Sequence, residues 1–269
     1  AAHPAFHRVP IEDRTNRPPL SADETAELAV KQLDTYRSCL VILNTRAAVR
    51  RVYRALRRRG HPLLFHLSNS QCARQRLDEL ERLQAALEAS RRDGPPVICV
   101  STPLIEAGVN ISFGCVIRSL AGIDSIAQTA GRCNRYGEAP WGRMILIDCT
   151  EERLDGLPDV RKAREAAKAV LVEYGADRLL TPAAVERFYR YYYYDRAWEL
   201  DYRVPGKGYG LAEAVDLYVL LSANAAALKA LKDRGEAPPD RPLLQAFRTA
   251  GKLAEVIGRN GADILVPYR

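Results

Sequence analysis

Gln128-Thr129-Ala130-Gly131-Arg132-Cys133-Asn134-Arg135 is the stretch on which the reading of this chain turns. Upstream of it lie Val97-Ile98-Cys99-Val100-Ser101-Thr102 and then Glu106-Ala107-Gly108-Val109-Asn110. Arg132 and Arg135 stand three apart after a glycine. Residues three apart are neighbours on one helix face, so the spacing predicts both guanidinium groups on one face of a helix; Asp124 to Cys133 reads as helical. A guanidinium is a planar fork that binds phosphate oxygens in pairs. Two of them aimed into a cleft suit a polyphosphate.

Outward from this stretch the chain alternates. Ser21 or Asp23 caps a helix reaching about Arg37. Cys39 to Leu43 reads as a short apolar strand, and Arg46 to Arg59 as a helix closed by Gly60. Leu63 to Leu67 is a strand, and Arg74 to Arg92 an amphipathic helix ended by Asp93-Gly94-Pro95-Pro96. Val97 to Val100, Cys115 to Leu120 and Met144 to Asp148 complete the strands. Short apolar strands separated by helices predict an α/β fold, a parallel sheet covered on both faces. Ligands of such sheets sit beyond the carboxyl ends of the strands. Asn44-Thr45, Ser68-Asn69, Ser101-Thr102 and Ser119 fall there. After Asp148 the pattern turns mainly helical: Pro158 to about Gly175, Pro182 into Tyr189–Tyr194, Leu211 to Asp233 and Leu243 to Ile257. Val204 to Gly210 reads as a turn or loop and Ile264 to Pro267 as a short strand. The organisation expected is a connector over 1–20, a lobe over 21–150, and a helical extension over 151–269 packed on the lobe.

Composition bounds the function. The chain has 269 residues, 47% of them hydrophobic, which is enough for a real core. Its net charge of +7 suits a polyanionic partner. Arg50, Arg51, Arg54, Arg57, Arg58 and Arg59 form the densest basic cluster; spread around a helix, they read as a solvated surface ahead of a nucleic-acid patch. Six cysteines show no C-x-x-C pairing and read as reduced core thiols of a cytoplasmic protein, not a zinc site or disulfide frame. No apolar run is long enough to span a membrane, and Ala1 to Leu20 does not read as a signal peptide. Tyr191 to Tyr194 with Trp198 can stack bases, although packing is the expected role.

Motif VI of superfamily 2 helicases reads Q-x-x-G-R-x-x-R, and residues 128–135 match every fixed position; the run from Ser101 to Ile111 is similar to motif V. More closely, nearly the whole chain resembles the second RecA-like lobe and following helical segment of the CRISPR-associated helicase–nuclease family of type I interference. Val41 to Arg46 is similar to that family's motif IV. His66-Leu67-Ser68 through Cys72 and Arg76, Ile123 to Gln128, Gln245 to Ala250, and Val266-Pro267-Tyr268 resemble its other segments. The resemblance implies a RecA-like sheet sandwiched by helices, with ATP bound between a first lobe and this one. Arg132 and Arg135 would act as arginine fingers, with Gln128 orienting water or phosphate. Gly108, Asn110 and Gly131 would lie at the nucleotide. Asn44, Thr45, Ser68, Arg76, Ser101 and Thr102 would lie along single-stranded DNA. The implied partners are the first lobe, an HD nuclease and the CRISPR surveillance complex. Two positions depart from the family: Asn110 stands for its Asp and lacks the charge, and Pro103 stands for its Gln and removes a backbone donor.

The chain contains no G-x-x-x-x-G-K-[ST], and none of His3, His7, His61 or His66 is followed by Asp. Asp23-Glu24 follows no apolar strand and reads as helix capping rather than as a magnesium box. The expectation is half of a composite ATPase site, with Mg²⁺ held by the other lobe and no turnover by this chain alone. Two other classes fit the same motifs: a nucleic-acid-binding or regulatory module without catalysis, and a superfamily 2 remodeller outside CRISPR defence.

Overall fold

Strands β1 (Ile11–Asp13), β2 (Ser38–Ile42), β3 (Leu64–Leu67), β4 (Val97–Ser101), β5 (Cys115–Ser119) and β6 (Arg143–Ile147) join in one parallel sheet of order β1-β6-β5-β2-β4-β3. The computed structural model describes residues 9–61, 63–106, 108–199, 201–204, 214–222, 224–237 and 245–254. They gather into two units, one ending at Tyr192 and the other starting at Tyr193.

In the first unit the strands alternate between two cores because successive side chains point to opposite faces. Leu40, Ile42, Val97, Cys99, Val116, Met144 and Leu146 face one side. There they meet α3 (Ala73–Arg91), α4 (Ile123–Ala130), α5 (Pro158–Tyr174) and α6 (Pro182–Tyr192) through Leu83, Leu87, Ile126, Val170 and Phe188. Cys39, Val41, Ile98, Val100, Ile117 and Ile145 face the other side. They pack on α1 (Ala22–Tyr36) and α2 (Arg46–Arg58) through Ala26, Ala29, Val49, Val52 and Leu56. Each valine, leucine, isoleucine, methionine or phenylalanine among them contributes about 1.5–3 kcal/mol when fully buried. The sandwich of helices on a parallel sheet is the α/β architecture expected.

Ser21 caps α1 in a reciprocal box with Glu24, while Asp23 is ion-paired to Arg58 (3.1 Å) and Arg59 (3.0 Å). Glu24 thus joins the cap as expected, whereas Asp23 ties α1 to α2, a role its spacing did not predict. The segment read as a connector contributes β1, with Ile11 opposite Met144. Three residues, two of them acidic, carry too little periodicity to announce a strand. Glu12 is anchored there by ion pairs to Arg14 (2.6 Å) and Arg143. The segment from residue 151 is divided between the units, because α5 and α6 pack into the sheet's core.

Within the second unit, β7 (Arg203–Val204) pairs antiparallel with β8 (Val215–Asp216). The single helix expected over 211–233 is instead β8, α7 (Leu217–Leu221) and α8 (Ala225–Asp233). Asp216 caps α7 through the Tyr218 N–H at 2.8 Å, and Asn224 takes a left-handed φ of 45°, so one continuous helix cannot form. α9 (Phe247–Leu253) lies inside the helix expected over 243–257. The expected strand at 264–267, and all of the expected loop beyond Val204, lie outside the described residues. Cys39, Cys99, Cys115, Cys133 and Cys149 are buried free thiols as expected, but Cys72 is exposed at the N-cap of α3 and is not a core thiol. Burial pushes the Cys149 thiol up to about 12, which removes it as a nucleophile at neutral pH. No helix among the described residues is long and apolar enough to cross a membrane.

Candidate nucleotide and nucleic-acid site

The parallel register brings the strand ends level. Ile42 and Leu67 both lie opposite Ser101, and Ser119 lies opposite Ile147. The residues that follow, Asn44-Thr45, Ser68 and Thr102, therefore collect along one edge, as expected of a sheet wound this way. Thr45 caps α2 by accepting the Ala48 N–H at 3.2 Å. The Ser68 hydroxyl accepts the Ser70 N–H at 3.3 Å, and the Ser101 hydroxyl donates to the Thr102 carbonyl at 2.8 Å; both serines are buried. The Thr102 hydroxyl is different. It is buried and has no hydrogen-bond partner among the described residues. An unpaired buried hydroxyl costs roughly 1–3 kcal/mol, so a ligand oxygen supplied at this edge would relieve it. Arg76, in the first turn of α3, is half-buried and donates to the Gln71 carbonyl at 3.1 Å.

A second layer lies beneath this edge and was not assigned from sequence. Arg118, at the end of β5, is only 1% exposed. Its Nη1 donates to Asn44 Oδ1 (2.8 Å) and the Ser119 carbonyl (2.8 Å). Its Nη2 donates to Ser125 Oγ (2.8 Å), and its Nε lies 3.0 Å from Glu106 Oε1. The Ser125 hydroxyl donates a hydrogen bond to Glu106 (2.7 Å), and Thr129 donates to the same carboxylate (3.0 Å). Asn44 and Ser119 in turn donate to Glu152, each at 2.8 Å. Burial lowers the Arg118 pKa, while Glu106 and Glu152 hold it up. The network binds the end of β2, the 3₁₀ turn Pro103–Glu106, α4 and the loop after β6 into one unit. A signal for it was present in Cys-Val-Ile-Arg-Ser: an arginine inside a buried strand requires a carboxylate, because an unpaired buried charge is prohibitive.

The helix-face prediction for the two arginines fails. α4 stops at Ala130, and the Cys133 segment pairs with Phe113 instead: the Phe113 N–H donates to the Arg132 carbonyl (2.9 Å) and the Asn134 N–H to the Phe113 carbonyl (2.8 Å). Asn134 takes a φ of 43°, closing its turn by two bonds with Ala139. The turn gives the arginines different environments. Arg132 is buried and donates Nε to the Ile105 carbonyl (3.1 Å) and Nη2 to the Glu106 carbonyl (2.6 Å). Arg135 is exposed; its N–H donates to Ser112 Oγ at 2.9 Å, and its guanidinium has no partner among the described residues. Burial lowers the Arg132 pKa, and the neighbouring positive charge of Arg135 lowers it further. Two like charges held this way favour an anion. Gln128 and Gly131 are exposed beside them, and Gly108 (φ +72°) and Asn110 lie on the exposed loop after the 3₁₀ turn. Buried Glu106 and half-buried Glu152 are engaged by Arg118, Asn44 and serine or threonine hydroxyls.

The site thus combines a parallel sheet carrying hydroxyls at its carboxyl edge with a paired-arginine turn beyond α4. Residues 35–138 match the family model of the CRISPR-associated nuclease/helicase Cas3, C-terminal. This segment is therefore similar to the C-terminal part of that nuclease/helicase. Over 48 residues the chain is 54% identical to the CRISPR-associated nuclease/helicase Cas3 of Haloferax volcanii, covering 18% of this chain and 5% of that protein. The crystal structure of T. fusca Cas3-AMPPNP superposes with a TM-score of 0.55 at 16% identity, over 87% of this chain and 27% of that one. A chain of a CRISPR RNA-guided surveillance complex, pre-nicking, superposes with a TM-score of 0.51 at 18% identity, over 69% of this chain and 25% of that one. The chain thus spans about a quarter of the solved chains it matches, and these low identities speak for the fold alone.

Proposed function

We propose that this chain is the C-terminal lobe of an ATP-dependent translocase or helicase that moves on single-stranded DNA in type I CRISPR interference. The observation that carries the reading is the inequality of the paired arginines. Arg135 presents a free guanidinium to solvent beside Arg132, which is tied to the backbone of the 3₁₀ turn. Arg135 then acts as the arginine finger, neutralising charge on the γ-phosphate as it transfers. Arg132 holds the turn that carries Gly108 and Asn110, so that nucleotide contacts and finger move together. Gln128 and Gly131 face the same nucleotide. A first lobe supplies the phosphate cradle and holds Mg²⁺, whose charge stabilises the transferring group. Thr102 and Arg76 contact strand phosphates, while Asn44, Thr45, Ser68 and Ser101 shape the edge that receives them. Phosphate contacts carry no sequence information, which suits a motor. The likeness to T. fusca Cas3-AMPPNP and to a chain of a CRISPR RNA-guided surveillance complex supports a nucleotide and a CRISPR assembly as ligands of the whole protein; an HD nuclease partner and a cytoplasmic setting belong to the same proposal.

The test joins this chain to its first lobe and measures DNA-stimulated ATPase. Arg135→Ala is expected to lower kcat about a thousandfold or more with little change in ATP affinity. Wild-type turnover would overturn the assignment. This chain by itself is expected to turn over no ATP.

A further inference from the structure

The arginines of α2 fall into two sets. Arg51 is ion-paired to Glu151, and Arg58 and Arg59 to Asp23. Arg46, Arg50, Arg54 and Arg57 are exposed and have no ion pair or hydrogen bond through their guanidinium groups among the described residues. Their spacing of four, four and three places all four on one face. Val49, Val52, Ala55 and Leu56 occupy the opposite, buried side of the helix. At 1.5 Å per residue the stripe runs about 16 Å, the length of about five phosphates in a stacked strand at 3.4 Å each. The stripe begins directly after Thr45, at the carboxyl edge of the sheet. Along its flank, Tyr53 meets His66 of β3 with ring centroids 5.3 Å apart, two residues before Ser68. Both rings are half-buried. The Arg50 charge adds to burial in lowering the His66 pKa, so the ring pair stays within the field of the stripe.

We infer that the Arg46–Arg50–Arg54–Arg57 stripe is a second contact track for single-stranded nucleic acid, running along α2 away from the candidate groove. The four guanidinium groups bind successive phosphates, and the Tyr53–His66 pair offers an aromatic surface to the bases. A positive track beside stacking rings is the chemistry that holds single strands without sequence preference. This rests on the reading of the lobe as strand-binding and extends it to a surface that reading does not use.

The experiment is fluorescence anisotropy of the 269-residue chain with a labelled oligothymidylate of about 20 nucleotides, across a salt series. The triple variant Arg50→Gln/Arg54→Gln/Arg57→Gln is expected to bind at least tenfold more weakly. Its log–log salt slope should shrink by about 2, at about 0.7 per lost single-strand contact. The charge-matched control Arg51→Gln/Arg58→Gln/Arg59→Gln is expected to stay within about twofold, because those guanidinium groups are already engaged by Glu151 and by Asp23, which Arg58 and Arg59 share. Equal losses in both variants would overturn the track in favour of a net-charge effect. Unchanged oligonucleotide binding with stripe-dependent capture of polyaspartate would overturn it in favour of an acidic protein partner. Thr102→Val separates the two readings: weaker binding in that variant with none in the stripe variant retains the groove and removes the track.

Discussion

Arg118 and Arg132 on one side, and Arg135 with the α2 stripe on the other, are one residue type under opposite conditions. Arg118 is enclosed by Glu106, Asn44, Ser119 and Ser125, and Arg132 gives donors to two backbone carbonyls. Arg135, Arg46, Arg50, Arg54 and Arg57 face solvent with their guanidinium donors unassigned. A guanidinium whose donors are already paired stabilises the chain that pairs them. One held open can act on something else. Position in a motif does not decide between these outcomes, since Arg132 and Arg135 belong to one motif and fall on opposite sides.

The largest expected effect comes from the open member of that pair. Arg135→Lys should recover little of the turnover lost in Arg135→Ala, because an ammonium lacks the bidentate fork. A thousandfold loss corresponds to about 4 kcal/mol of transition-state stabilisation. The melting temperature of Arg135→Ala should stay at the wild-type value; a fall matching that of a core substitution would assign Arg135 to structure and erase the contrast.

Next in size is the enclosed network. Glu106→Ala leaves Arg118 buried without its countercharge, and breaking such a pair from one side typically costs about 3–5 kcal/mol. Denaturant unfolding of the 269-residue chain measures it. The double variant Glu106→Leu/Arg118→Met should recover most of the loss, because apolar replacement of a buried pair is often neutral. A cost below about 1 kcal/mol for Glu106→Ala would place Arg118 among the solvated arginines after all. Arg132→Gln should lie between the extremes. It forfeits charge-assisted bonds to the Ile105 and Glu106 carbonyls, worth roughly 1.5–3 kcal/mol. Its nucleotide affinity should fall more than its kcat, as expected when a positioning group loosens the loop bearing Gly108 and Asn110; the reverse split would make Arg132 the finger.

The sheet was legible because its strands are short, apolar and separated by helices with recognisable caps: Ser21 with Glu24, Thr45, and the Gly94-Pro95 stop. β1 was not, because two of its three residues are acidic and its strand character comes from pairing with β6. The division of 211–233 was hidden in Asp216 and Asn224, whose turn chemistry interrupts an otherwise apolar run. At the site, the candidate positions along the sheet edge came from topology alone and did collect there. The turn at Arg132–Arg135 did not follow from spacing, since α4 stops at Ala130 where the chain turns to pair with Phe113. Spacing also could not sort the α2 arginines. That required Glu151 and Asp23, which lie far away in sequence and give Arg51, Arg58 and Arg59 carboxylate partners that the equally exposed stripe arginines lack among the described residues.

The smallest expected effect reads the open stripe through a neighbour. His66 is half-buried, and its pKa lies below the ordinary value first because of burial and then because of Arg50. An unfolded chain takes up the His66 proton near pH 6.5, whereas the folded chain resists it. The stability this group contributes is therefore fully present above that pH and is lost as pH falls towards and through the depressed folded value. Arg50→Gln removes only the second cause. Its His66 resonance should titrate at higher pH than in the wild type, yet still below the unfolded histidine, since burial persists. The variant should accordingly lose less stability than the wild type between neutral pH and about pH 5. Saturating oligothymidylate should move the wild-type His66 in the same direction, because phosphate at Arg50 cancels the same field. An unmoved His66 in Arg50→Gln would mean that Arg50 is already neutralised, like Arg51, and that the stripe is shorter than its spacing implies.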